Sequence, residues 1–133
     1  MFLCGKLKNM TQKYLDELTF NVIGAAIEVH KNMGSGLLES VYQQCMIEEL
    51  TNRNINFVSE FKVPVAYKGK ELDIEFRCDL FVENCLVVEL KSVSEIKPIH
   101  DAQVLNYMNL LKVPKGIIIN FNCFNISIRN SFF

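Results

Sequence analysis

Three Glu-x-Lys triplets, Glu60-Phe61-Lys62, Glu89-Leu90-Lys91 and Glu95-Ile96-Lys97, are the residues of this chain whose types and spacing first suggest chemistry. The triplet alone says little, so its surroundings must choose. Glu60 and Lys62 lie on a strand-like stretch that can hold both charges in water, and Glu95 and Lys97 lie in a polar connection. Glu89 and Lys91 instead belong to the mainly apolar run 85–91, which reads as a central strand. Residues two apart share one face of a strand, and burying unpaired charge there is expensive. An internal ion pair at a strand end is one explanation, since such pairs mimic functional sites. Asp79 on the preceding strand suggests another. Carboxylates from adjacent strands, opposed by a single lysine, repel unless a cation joins them. Oxygen ligands of this kind suit Mg²⁺ or Mn²⁺, with water and substrate phosphate completing the shell. A lysine beside the ion would hold the attacking water or stabilise charge on the phosphorane.

This reading sets a condition on register. Residues directly opposite in an antiparallel pair share a face, so Asp79 meets Glu89 only across an odd-numbered loop or a bulge. Glu83-Asn84-Cys85 is the natural three-residue loop. It places Val82 opposite Leu86 and Asp79 opposite Glu89.

The flanking segments must position these strands. From Thr11 to about Lys31, Leu15, Leu18, Val22, Ala25, Ala26 and Val29 recur at steps of three and four, the stripe of an amphipathic helix, with Thr19 as an alternative N-cap. Glycines 34 and 36 end it, and a second helix follows from Leu37 to about Arg53, with Leu38, Val41, Cys45 and Leu50 expected in the core. The period then becomes two. Phe57, Phe61, Val63, Val65 and Tyr67 mark a strand that Pro64 assigns to an edge or a bulge. After a Lys68-Gly69 turn, Leu72, Ile74, Phe76, Cys78, Leu80 and Val82 mark one face of the next strand, opposite Asp73, Glu75, Arg77, Asp79 and Phe81. Beyond the central strand, Pro98 opens a third helix to about Lys112, with Ile99, Ala102, Leu105 and Met108 inward and His100, Gln103 and Tyr107 on a neighbouring face. Residues 116–121 read as a buried strand, and Phe124, Ile126 and Ile128 suggest one more. A helix between the third and fourth strands allows a parallel crossover, so a mixed α/β sheet flanked by helices is expected.

At these residues the sequence resembles the PD-(D/E)xK nuclease superfamily, and in particular its small GxxExxY group. The resemblance rests on Gly36-Leu37-Leu38-Glu39-Ser40-Val41-Tyr42, Arg77-Cys78-Asp79, Val88-Glu89-Leu90-Lys91, Ile99-His100-Asp101-Ala102-Gln103 with Asn106-Tyr107, and 116–121. It implies a restriction-endonuclease-like core of helix, three-strand meander, crossover helix and further strand. It also implies Asp79 and Glu89 as metal ligands, Lys91 as the catalytic lysine, Glu39 as a member of the acidic cluster and Gln103 as a supporting residue. Cys78 stands where the superfamily has proline. Tyr42 reads as a packing or orienting group, Tyr107 as structural, and Arg77 as a partner for an acid or a phosphate. His100 has two readings, a phosphate contact or a helix-start histidine bonded to backbone, and His30 suits the helix dipole near its end.

Size and composition fit this picture. A chain of 133 residues, half of them hydrophobic, supports one core, so residues 1–133 are expected to form a single domain, with 1–17 as a loosely attached segment. The start is too briefly apolar for a signal peptide or a spanning helix. Five cysteines without a C-x-x-C pair suit reduced thiols and a cytoplasmic location. Expected partners are nucleic acid, with the choice between DNA and RNA left open, and no membrane, with a homodimer also left open. A net charge of −1 argues against tight, non-specific DNA binding and keeps a competing function in view. That alternative is a catalytically silent nucleic-acid- or protein-binding module on the same fold.

Overall fold

The computed structural model describes residues 11–123 and 127–132. Helix α1 (Gln12–Met33) begins at Thr11, whose hydroxyl accepts a hydrogen bond from the Tyr14 N–H, and ends at Gly34. The stripe expected from spacing is its buried face: Leu15, Leu18, Val22, Ala25, Ala26 and Val29 all lie in the core. Thr19 does not cap a second helix. It lies inside α1 and its hydroxyl donates to the Leu15 carbonyl 2.7 Å away, so the alternative break is absent.

Helix α2 (Glu39–Asn52) packs on α1 with Leu50 buried and Cys45 half-buried against the core as expected, but the rest of its inward row differs. Tyr42, Met46 and Leu50 are buried, whereas Leu38 is 74% exposed at the N-cap and Val41 only half-buried. Tyr42 explains the difference. Its ring stacks on Phe121 at 4.3 Å while its hydroxyl donates to the Gly34 carbonyl and accepts from the Leu37 N–H, which turns the 42–46–50 row inward.

Strand β1 (Phe57–Lys62) is an edge strand, as Pro64 suggested, but it stops before Val63. The chain then makes a separate hairpin of β2 (Ala66–Tyr67) and β3 (Lys70–Glu71). Residues 72–76 form no strand, so the long second strand expected from Leu72 is shortened to β4 (Arg77–Val82). Strand β5 (Leu86–Lys91), helix α3 (Pro98–Leu111), strand β6 (Lys115–Asn120) and strand β7 (Ser127–Phe132) follow. The sheet runs β1-β4-β5-β6-β7. Its first three strands are an antiparallel meander, β6 joins β5 in parallel through α3, and β7 returns antiparallel. Phe124, Ile126 and the first ten residues lie outside the described residues.

Alternation along the central strands divides the core into two layers. Leu80, Val82, Leu86, Val88, Leu90, Ile117 and Ile119 meet α1 and α2, while Phe81, Val87 and Ile118 meet α3. Cys78 breaks the expected face: it packs with the α3 layer rather than beside Leu80, so the alternation of β4 slips at Asp79. On α3 the buried residues are Val104, Tyr107, Met108 and Leu111. Met108 is inward as expected, but Ile99 is 69% exposed and Ala102 and Leu105 also face outward, which corrects the rest of the expected row. The aromatic ring of Tyr107 and the two long apolar side chains after it fill the α3 layer better than that row would.

Gly116 sets how close α3 can come. A Cβ there would stand 2.5 Å from Val104 Cγ1 and 2.9 Å from Met108 Sδ, and Val104 is a stiff β-branched side chain in a buried contact. Gly116→Ala is therefore expected to lower stability by about 1–3 kcal/mol, read from urea denaturation. An unchanged midpoint would mean that α3 moves off the sheet without cost.

Candidate functional site

The β4–β5 hairpin turns through Glu83 and Asn84, both at positive φ, and the Cys85 N–H donates to the Val82 carbonyl. Glu83 is held in this uncommon conformation by a double link to Asn56: its N–H donates to the Asn56 carbonyl and its carboxylate accepts from the Asn56 N–H. The next pair is Val82 with Leu86, followed by Phe81 with Val87 and Leu80 with Val88. This is the register expected from the three-residue loop, and it ends at Leu80 with Val88, one step short of Asp79 and Glu89. There the ladder opens. The Asp79 N–H donates to Glu89 Oε1 at 2.8 Å, and the Leu90 N–H donates to Asp79 Oδ2 at 2.8 Å. Each carboxylate thus replaces a backbone acceptor on the opposite strand.

Asp79 is out of the ladder on its other side too. Its carbonyl accepts from Gln43 Nε2 at 3.2 Å, and the same amide nitrogen donates to Glu60 Oε2 at 3.0 Å. Glu60, directly opposite in the β1–β4 register, has φ of 51°, a left-handed conformation uncommon outside glycine, and makes no ladder pair. Gln43 and Glu60 were not singled out from sequence as site residues. Gln43 carried no signal there, because its role comes from α2 crossing the sheet at this point.

Burial dominates the electrostatics. Glu89 is 3% exposed, and desolvation first, then the neighbouring Asp79 charge, raise its pKa to about 8. Asp79 is raised chiefly by desolvation as well, against the lowering effects of the Leu90 N–H and Lys91. Lys91 favours the ionised form of both carboxylates, yet it belongs to none of the ion pairs within 4 Å among the described residues. A tight Glu89–Lys91 ion pair is therefore absent. The second oxygens, Asp79 Oδ1 and Glu89 Oε2, have no hydrogen-bond partner among the described residues and are not sealed from solvent.

The other expected residues divide into near and remote. Glu39 opens α2, is exposed, and accepts from the Ser92 N–H at 3.3 Å, while its charge bears on both Asp79 and Glu89. The three carboxylates are not gathered closely enough to hold one ion: no group of three acidic, histidine or cysteine side chains among the described residues is so arranged. Gln103 donates to the Tyr107 hydroxyl at 3.0 Å, which donates to the Arg77 carbonyl at 2.6 Å. Burial and the charge of Glu89 raise the Tyr107 pKa, which keeps that hydroxyl a donor. Arg77 itself is exposed, pairs with Glu75 at 2.8 Å and donates to the Glu60 carbonyl. His100 Nδ1 accepts from the Lys97 N–H at 3.0 Å, the backbone-bonded role at a helix start. Tyr42 stands on the opposite side of the sheet from α3, stacked on Phe121.

Asn120 was also missed. It pairs with Lys91 across the β5–β6 ladder and ties its amide to both the N–H and the carbonyl of Val93, fixing the chain as it leaves β5. A polar residue closing the apolar run 117–119 was the available signal.

A five-stranded mixed sheet with helices on both faces and carboxylates on adjacent central strands defines a restriction-endonuclease-like architecture. A model of the PD-(D/E)XK nuclease superfamily matches residues 16–130, and the chain belongs to that superfamily. No curated protein and no solved structure matches it.

The raised carboxylates give a signed expectation. Between about pH 4.5, where Glu89 would ionise in the unfolded chain, and about pH 8, the folded state keeps a proton that the unfolded state releases. Stability in chelator should therefore fall as pH rises through this window, with Asp79 adding in the same direction. Glu89→Gln, whose amide oxygen can still accept from the Asp79 N–H, should flatten that slope and melt at or above the wild type near pH 8. Destabilisation of Glu89→Gln by about 3–5 kcal/mol would instead reveal a buried ion pair broken by the substitution.

Proposed function

We propose that this protein hydrolyses phosphodiester bonds of nucleic acid with the help of Mg²⁺ or Mn²⁺ bound at Asp79 and Glu89. The observation that supports this reading is the open ladder: two carboxylates on adjacent strands, Glu89 buried and Asp79 half-buried, each anchored by one oxygen on backbone and each leaving the other oxygen without a hydrogen-bond partner among the described residues. Such a donor set fits a hard divalent cation, whose charge would offset the repulsion and burial that raise both acids. When bound, the ion supplies acidification of water and stabilisation of charge on phosphoryl oxygens. Lys91 holds the attacking water or meets charge developing on phosphorus. Glu39, with an exposed and rotatable side chain, joins the acidic cluster from α2. Gln103 and Tyr107 brace the Arg77 carbonyl two residues before Asp79, and Arg77 and His100 face the substrate backbone.

The motif around Glu39 and Tyr42 supports placement in the GxxExxY group. Free cysteines among the described residues, Cys45, Cys78 and Cys123, support a reducing, cytoplasmic setting. No helix among the described residues is long and apolar enough to cross a membrane. A silent binding module is the competing reading, favoured by the near-neutral charge.

Cleavage of single- and double-stranded DNA and RNA in Mg²⁺ or Mn²⁺ tests the proposal. Asp79→Asn and Glu89→Gln should abolish hydrolysis, and Lys91→Ala should slow it while leaving metal affinity largely intact. Calorimetry should show Mn²⁺ binding that strengthens toward pH 8 with proton release, because Glu89 must ionise first. A wild-type protein that binds no metal and cuts none of the substrates is a silent module.

A further inference from the structure

Beside this site runs a groove of about 340 Å³ lined by Val65, Ile74, Phe76, Asn106, Asn109 and Leu110. One wall is the non-strand segment leading into β4, and the other is the outer half of α3. The groove is near the low end of the range for small-molecule pockets, roughly 300–1,000 Å³, which suits one flat ring system better than a larger ligand. Its walls are apolar and include the Phe76 ring. Its rim has two primary amides, Asn106 and Asn109, three residues apart and so on one helical face. Both are exposed, and neither makes a side-chain hydrogen bond among the described residues. Each offers paired donors and an acceptor to whatever lies between the walls.

Continuity links the groove to the carboxylates. Phe76 packs on Tyr107 with ring centroids 4.6 Å apart, and the Tyr107 hydroxyl bonds to Gln103 and to the Arg77 carbonyl. Phe76 precedes Asp79 by three residues, about 10 Å of extended chain. Its wall residue Val65, which accepts a hydrogen bond from the Leu72 N–H, leads straight into the β2–β3 hairpin, where Tyr67, Lys68 and Lys70 are exposed and the Lys68 ammonium lies over the Tyr67 ring. Nearby Lys62 pairs with Asp73 and Arg77 with Glu75, but Lys68 and Lys70 belong to no ion pair among the described residues. A chain with net charge −1 thus carries, on the short hairpin that leaves the groove wall, two lysines outside any ion pair among the described residues and an exposed aromatic ring, with Glu71 as the one acid beside them.

We infer that this groove seats an unpaired nucleobase of a single-stranded nucleic acid, with the base against Phe76 and Ile74, its edge on Asn106 and Asn109, and neighbouring phosphates on Lys68 and Lys70. The inference rests on the proposed nuclease reading for the nature of the substrate. A base within a duplex is paired and stacked on both faces, so only an unpaired or extruded base can enter, and stacking plus amide hydrogen bonds repay its ordering. The site then prefers single strands over duplexes.

Binding in chelator separates this inference from catalysis. Fluorescence anisotropy would follow short labelled single-stranded DNA and RNA homopolymers, the corresponding duplexes, and an abasic strand with the same phosphates. Wild type should bind the base-bearing single strand about tenfold more tightly than the abasic strand or the duplex. Asn106→Ala/Asn109→Ala, both at exposed positions, should lose most of that difference while binding the abasic strand as before. Lys68→Ala/Lys70→Ala should weaken all strands alike and reduce the salt dependence. Equal wild-type affinity for base-bearing and abasic strands, or a preference for duplex, overturns the inference even if the protein cuts nucleic acid. Base-dependent binding without any cleavage upholds the groove and defeats the nuclease reading.

Discussion

The exchange between Asp79 and Glu89 is the interaction on which the rest of the site depends. In an ordinary antiparallel ladder the N–H groups of Asp79 and Leu90 would meet carbonyls, and both side chains would be free. Here the side chains take the place of those carbonyls, at 2.8 Å in each direction. Two consequences follow from this one substitution of partners. The carboxylates are fixed without a counter-ion, because backbone dipoles supply the orientation. They are also drawn together where water is partly excluded, which is why burial raises both acids and the Asp79 charge raises Glu89 further.

An opened ladder inside a sheet would leave polar backbone unsatisfied, so neighbouring elements must close it. Gln43 reaches from α2 to the Asp79 carbonyl, and Tyr107 reaches from α3 to the Arg77 carbonyl. Asn120 holds the chain beyond Lys91 by both polar groups of Val93. The two helical layers therefore do more than cover apolar faces. They supply the hydrogen bonds that let β4 depart from regular pairing at the residue where chemistry is proposed, and the slip that sends Cys78 into the α3 layer is the packing counterpart of that departure.

Charge is distributed to match. The chain as a whole is nearly neutral, and many of its exposed charges cancel locally, as in Lys62 with Asp73, Arg77 with Glu75 and Arg53 with Glu49. Among the charges outside these pairs are an acidic pair with its lysine at the end of β5, and Lys68 and Lys70 on the hairpin. Weak overall attraction for polyanions is compatible with a local route for a single strand, because screening limits exposed charges to a range of about 8 Å under physiological salt.

Much of the scaffold was legible in the sequence because periodicity reports burial directly. The α1 stripe, the central position of β5 and the loop that sets Val82 opposite Leu86 all follow from apolar spacing and turn length. Resemblance added the restriction-endonuclease-like order of elements and drew attention to Asp79, Glu89 and Lys91. Spacing found Leu50 and Met108 but misplaced the rest of the inward faces of α2 and α3, where two stripes of similar hydrophobicity compete. Only packing decided between them, through Tyr42 stacked on Phe121 and Tyr107 against Phe76, since an aromatic ring with a bonded hydroxyl fills more space than the rival leucine or isoleucine. The ends of β1 and β4 were likewise invisible, as the alternating residues 63–65 and 72–76 read as strand although only isolated backbone bonds, Val63 N–H to the Phe76 carbonyl and Leu72 N–H to the Val65 carbonyl, join them and no continuous ladder forms. Nor could any pattern of residue types indicate that Asp79 and Glu89 bond to backbone rather than to Lys91, because that choice depends on where the sheet opens and which helices stand ready to satisfy it.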